Sequence, residues 1–297
     1  MQHRTLRRDG PLHVVDFGGS GQPIVLLHGL GGSHANWISV GERLAEHRHV
    51  VALDLVGHGL TPPVGRRARI VDHRRLVQRY LGHLDQPAVL AGNSMGGYVA
   101  LTVAASTPEL VAGLILVGAA LPREQIVPRD PLVLGMFAVY MIPGLADRFL
   151  SWRRRRLRPE GLVEQALRLC SVDASRIADE AWEAHVEMAH ERILQPWSRR
   201  CFLQSARSLV ARMVGRRRVA DMIEAIEAPA LIIQGDRDRL VPVEVARDLA
   251  GRRPDWQLEV FTDIGHVPQL ECPDRFIEVV DRWLHGGLSA ERSTCAS

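Results

Sequence analysis

The run Gly92-Asn93-Ser94-Met95-Gly96-Gly97 places a serine between two glycines, after the apolar residues 88–91 and before a helical pattern that begins at Met95. A strand that turns into a helix through glycines at this spacing presents the intervening hydroxyl on a sharp bend. The start of the helix then aims backbone N–H groups at any negative charge that develops beside it. A serine hydroxyl is a poor nucleophile at neutral pH, so the same chain must supply a base and a group to orient that base. Downstream, Gly265-His266-Val267-Pro268 follows the strand-like residues 258–261, and Gly235-Asp236-Arg237-Asp238 follows the apolar residues 231–233. Loops after parallel strands open on one edge of the sheet, which would bring Ser94, His266 and one of the two aspartates to a common side. The residues themselves leave open whether Asp236 or Asp238 is that partner, since acidic residues after strands also close turns. No His, Cys, Asp or Glu group has metal-ligand spacing, so neither metal nor cofactor is expected.

Several short apolar runs could position these side chains: 24–27, 50–53, 88–91, 114–117, 230–233 and 258–261. The first five are continuously apolar, as suits a strand buried on both faces of a parallel sheet, while 258–261 carries Glu259 and resumes the strand-helix rhythm after the helical block. Residues 12–17 alternate weakly and end in a turn cluster, which reads as an edge strand. Helical patterns over 37–45, 73–84, 95–105 and 274–284 separate the runs, so the fold class is α/β with crossover connections. Between 120 and 228 the alternation stops and only helical periodicity remains. The domain reading is therefore a core over 1–121, a helical block over 122–218, a second core part over 219–286 and a polar tail over 287–297 expected to be disordered.

Composition narrows the classes. With 46% hydrophobic and 24% charged residues, the chain is neither disordered nor fibrous. All 37 basic residues are arginine, and their distribution is uneven. Residues 122–218 hold 18 arginines against 11 acidic residues, a net +7, whereas the remainder is net −4. Runs such as 153–156 could meet nucleic acid, anionic lipid or an anionic substrate, or be solvated helix faces. No nucleic-acid-binding motif accompanies them, so a nucleic-acid partner is not expected. The apolar stretch 133–146 is shorter than the ~20 residues that span a bilayer and is interrupted by Pro143. It reads as a buried segment, a pocket wall or an interfacial patch. Four dispersed cysteines and a basic N-terminus without a secretory apolar run suggest free thiols and a cytoplasmic location.

His28-Gly29, Asp54-x-x-Gly57-x-Gly59, Gly92-x-Ser94-x-Gly96, Gly235-x-x-Asp238-x-x-x-Pro242 and Gly265-His266, in that order, resemble the α/β-hydrolase superfamily. The resemblance covers 12–120 and 229–284. It implies a mostly parallel eight-stranded sheet flanked by helices, with a helical cap inserted where residues 122–218 fall. It further implies a Ser94–Asp238–His266 triad, with Asp236 as the lesser candidate, and an oxyanion hole from the backbone N–H groups of Leu30 and Met95. His28, Asp54 and His58 take architectural roles in this reading. Ser94 stands where related epoxide hydrolases and haloalkane dehalogenases carry Asp. Asn before the serine is similar to the meta-cleavage-product hydrolases, which break a carbon–carbon bond, but Val267 and Leu30-Gly31-Gly32-Ser33 depart from their pattern. The activity so implied is hydrolysis of a small carboxylic ester with an apolar acyl chain or an anionic group. Carbon–carbon bond hydrolysis is the alternative, followed by acyl transfer, perhydrolysis or ligand reception.

Overall fold

The computed structural model describes residues 1–7, 10–122, 130–213 and 216–292, except the side chains of 216–218 and 287–292. Eight strands form one sheet: β1 (Gln2–Leu6), β2 (Leu12–Gly18), β3 (Pro23–Leu27), β4 (His49–Leu53), β5 (Ala88–Asn93), β6 (Val111–Val117), β7 (Ala230–Gly235) and β8 (Gln257–Phe261). Their spatial order is β1-β2-β4-β3-β5-β6-β7-β8. Pairing is antiparallel for β1 with β2 and for β2 with β4, and parallel throughout the rest. The helices of the first half are α1 (Ile38–Leu44), α2 (Ile70–Leu81) and α3 (Met95–Ala104).

Apolar runs form the central strands β3 to β7 because both faces of the sheet are covered there. In β3, Val25 and Leu27 join one core cluster while Ile24 and Leu26 join the other, and β4 divides in the same way. With side chains alternating across a strand, every position of a doubly covered strand must be apolar. β1 was not among the expected strands. Its sequence, QHRTL, is exposed at every position, so it carries no burial pattern and is held by backbone pairing to β2.

Between β6 and β7 the chain leaves the sheet for a helical insertion: α4 (Pro131–Met141), α5 (Leu145–Arg156), α6 (Pro159–Cys170), α7 (Asp179–Leu194), α8 (Ser198–Met213) and α9 (Arg216–Glu224). The expected limit at 218 falls inside α9, whose periodicity carries on to Glu224. After the insertion follow α10 (Val243–Arg252), α11 (Pro268–Glu271) and α12 (Pro273–Arg292). The expected disordered tail is corrected over 287–292, which continue α12 as helix. Adding a residue to an existing helix costs little compared with nucleating one. Residues 293–297 lie outside the described residues, as does Cys295; Cys170, Cys201 and Cys272 are free thiols. Among the described residues no single helix is long and apolar enough to cross a membrane.

Candidate active site

Ser94 links β5 directly to α3 with φ 55 and ψ −115, a backbone conformation that non-glycine residues rarely adopt. The surroundings impose it. The Ser94 N–H donates to the Val117 carbonyl at 2.9 Å, and the Ser94 carbonyl accepts from Ala120 N–H at 3.1 Å. The bend requires close packing behind it, because a Cβ on Gly96 would press on the Leu27 carbonyl oxygen. Asn93 adds a cross-brace: its side-chain amide donates to the Val117 carbonyl at 3.1 Å and to the His266 carbonyl at 3.0 Å.

His266 follows β8, and Asp238 follows β7. Their side chains meet, with His266 Nδ1 2.7 Å from Asp238 Oδ2, and both are buried. The other carboxylate oxygen accepts from the N–H groups of Leu240 at 2.8 Å and Val241 at 2.9 Å, and Gln234 Nε2 donates to Oδ2 at 2.9 Å. These donors fix the carboxylate so that Oδ2 faces the imidazole, which sets Nδ1 as the protonated nitrogen and directs Nε2 away from the aspartate. Asp236 is engaged elsewhere, accepting from the Asp263 N–H at 2.7 Å. Gly118, at φ +51, lies under the pair; a Cβ there would sit 3.0 Å from His266 Nδ1.

Ser94 and His266 open into one cavity of about 1300 Å³ between the sheet edge and the helical insertion. Leu30 lies in its wall beside Gly29, where a Cβ would come within 3.2 Å of the Ser94 Cβ, so this loop abuts the serine. Met95, the first residue of α3, is fully buried behind it. His28 holds the loop from below: Leu55 N–H donates to its Nε2 at 3.0 Å, leaving Nδ1–H to donate to the Gly29 carbonyl at 2.7 Å. Burial lowers the His28 pKa to about 4, so the ring is a neutral strut.

Two features escaped the sequence reading. Glu271 is buried and ties the insertion to the His266 loop, accepting from Val172 N–H at 2.9 Å, Asp173 N–H at 3.0 Å and Gly265 N–H at 2.8 Å. The insertion also reaches the histidine itself, whose N–H donates to the Cys170 carbonyl at 2.5 Å. The only sequence signal for Glu271 is its place five residues after His266. The second feature is that Asp54, expected to be architectural, gathers His13 and His34 from remote positions, with polar side-chain atoms of the three within 4.8 Å of one another. Its oxygens take the N–H groups of His34 and Leu60 at 2.7 and 2.8 Å, with His13 and His34 Nδ1 at 2.9 and 3.1 Å. Burial opposes its charge, but the hydrogen bonds from His13 and His34 outweigh that and hold its pKa far below the usual carboxylate range. The carboxylate's acceptor capacity is thus filled by protein donors, and Asp54 is a structural hub beside the site.

A strained serine after the fifth strand, a histidine–aspartate pair on the same sheet edge and a cavity under an inserted helical layer together define an α/β-hydrolase. The α/β-hydrolase fold profile matches residues 22–273, and the chain belongs to this family. Among its relatives, the dihydrolipoyllysine-residue acetyltransferase component of the acetoin cleaving system of Pseudomonas putida is 30% identical over 89% of this chain; the match spans only 64% of that protein. The 2-hydroxymuconate semialdehyde hydrolase of Pseudomonas sp. strain CF600 is 30% identical over 90% of this chain and 88% of its own length. A thermophilic esterase from Thermogutta terrifontis has a similar structure, with TM-score 0.66 and 25% identity, covering 95% or more of both chains (96% and 98%).

Proposed function

We propose that this hydrolase cleaves a carboxylic ester through an acyl-enzyme on Ser94. The observation that carries the reading is the buried 2.7 Å His266–Asp238 bond on the sheet edge where strained Ser94 enters the same cavity. In this cycle His266 Nε2 removes the Ser94 proton as Oγ attacks the ester carbonyl, and Asp238 stabilises the imidazolium that forms. The N–H groups of Leu30 and Met95 receive the oxyanion, an interaction worth about 3 kcal/mol per donor. His266 then protonates the leaving alkoxide, and the same residues activate water to release the acid. The helical insertion from α4 to α9 acts as the cap that closes the cavity and selects the substrate. Replacing Ser94 with Ala is expected to cut turnover of a nitrophenyl ester by at least about 10⁴-fold while the chain stays folded. Undiminished turnover in that variant would overturn the mechanism.

Hydrolysis of a carbon–carbon bond is the second reading, favoured by the relationship to the semialdehyde hydrolase and by arginines such as Arg153, Arg154 and Arg192 in the cavity wall. A panel of nitrophenyl esters of graded chain length, run beside one vinylogous diketo acid, separates the two. A larger kcat/KM for the diketo acid than for every ester would move the assignment to carbon–carbon cleavage.

A further inference from the structure

The outer surface of α4 and α5 combines features that a solvated helix pair does not need. α4 has no charged residue over its 11 positions, yet only Val133 and Tyr140 are buried. Leu132 is 63% exposed, and Leu134 and, at the C-terminal end of the helix, Ile142 are also exposed. Across the break at Pro143-Gly144 the chain bends by 117° into α5. On α5 the exposed residues Leu145, Arg148, Trp152, Arg155 and Arg156 recur at helical spacing, so apolar and cationic side chains share one stripe. Trp152 is 53% exposed, and Arg148 and Arg156 make no ion pair among the described residues. Leu134 and Arg155 both belong to this surface and line the cavity that holds Ser94, so the cavity mouth lies within it.

We propose that the α4–α5 surface docks on an anionic lipid bilayer, seating the cavity mouth against the headgroup layer. An exposed apolar wedge with an aromatic residue and arginines beside it matches the lipid interface, where apolar groups enter the acyl boundary and cations meet phosphates. At 11 and 12 residues, α4 and α5 are each too short to cross a bilayer and so lie on it. A second copy of this chain fits less well, since a two-fold contact here would set arginines against arginines. A nucleic acid would meet the arginines but leave exposed leucines, Ile142 and Trp152 without a counterpart.

The test uses the full chain and co-flotation with vesicles of phosphatidylcholine alone or with about 30% phosphatidylglycerol. The surface predicts partitioning to the anionic vesicles, weakened by salt, with a blue shift of tryptophan emission that Trp152→Phe removes. Each arginine at an anionic surface is worth about fivefold in partitioning, so Arg148→Gln with Arg156→Gln should lose about 25-fold. None of these three residues lines the cavity, and turnover of a soluble nitrophenyl ester by the variants reports that the fold is intact. Absence of binding to anionic vesicles, binding undiminished in the double variant, or equal binding to a free polyanion without an emission shift would each overturn the proposal. So would sedimentation showing a stable dimer that the Trp152 and arginine substitutions dissociate.

Discussion

At the residue scale, the two aspartates of Gly235-Asp236-Arg237-Asp238 show what position does to identical chemistry. Asp238 Oδ2 meets His266 Nδ1, whereas Asp236 caps the turn at Asp263. Asp238→Asn would leave the site's shape but reverse the hydrogen bond that selects the imidazole tautomer, so kcat is expected to fall about 10³- to 10⁴-fold. Asp236→Asn should stay within about twofold, because a turn acceptor keeps its oxygen in the amide. Measuring kcat for the pair checks this; equal losses would mean that the turn, not the tautomer, is what matters. Residue type alone could not separate the two, since both follow the same strand; the resemblance, through the spacing from Asp238 to Pro242, favours Asp238.

The element scale is where buried histidines set a limit on stability. His28 follows β3, His58 lies in the turn after β4, and His73 sits on α2; their rings pack in series with centroids 5.4 and 5.5 Å apart. Burial lowers His28 to about 4 and His73 to about 3, and depresses His58 well below the ordinary imidazole value. In the unfolded chain such rings take up protons near pH 6.5. Below that pH the unfolded state binds more protons than the fold, so the contribution is fully present above about 6.5 and is lost as pH falls toward the folded values. Calorimetry should show Tm falling steadily from pH 7 to pH 5, with on the order of 2 kcal/mol lost for each of His28 and His73. The depressed carboxyl of Asp54 stays ionised over this window and does not share in the loss. A flat Tm between pH 7 and 5 would show that these rings can charge inside the fold.

For the whole molecule, the uneven charge becomes a field. The arginine-rich insertion covers a core of opposite net sign, and its Arg153, Arg154, Arg155, Arg192 and Arg199 face the cavity. Screening at high ionic strength weakens such attraction over distances beyond about 10 Å. KM for an ester carrying a carboxylate should therefore rise several-fold between about 20 and 500 mM salt, while KM for a neutral ester of equal length stays within about twofold. Parallel salt titrations of the two substrates check this, and identical responses would assign no role to the cavity arginines. The sequence by itself determined the parallel sheet and the serine bend, because doubly buried strands must be apolar at every position and a sharp strand-to-helix turn needs Gly92 and Gly96. The resemblance favours Asp238 over Asp236, and the structure pairs Asp238 with His266; only the tertiary structure decided that β1 joins the sheet and that Glu271 ties the insertion to the His266 loop. Those outcomes depend on hydrogen bonds between residues far apart in the chain, whose partners leave no periodic trace in the order of amino acids.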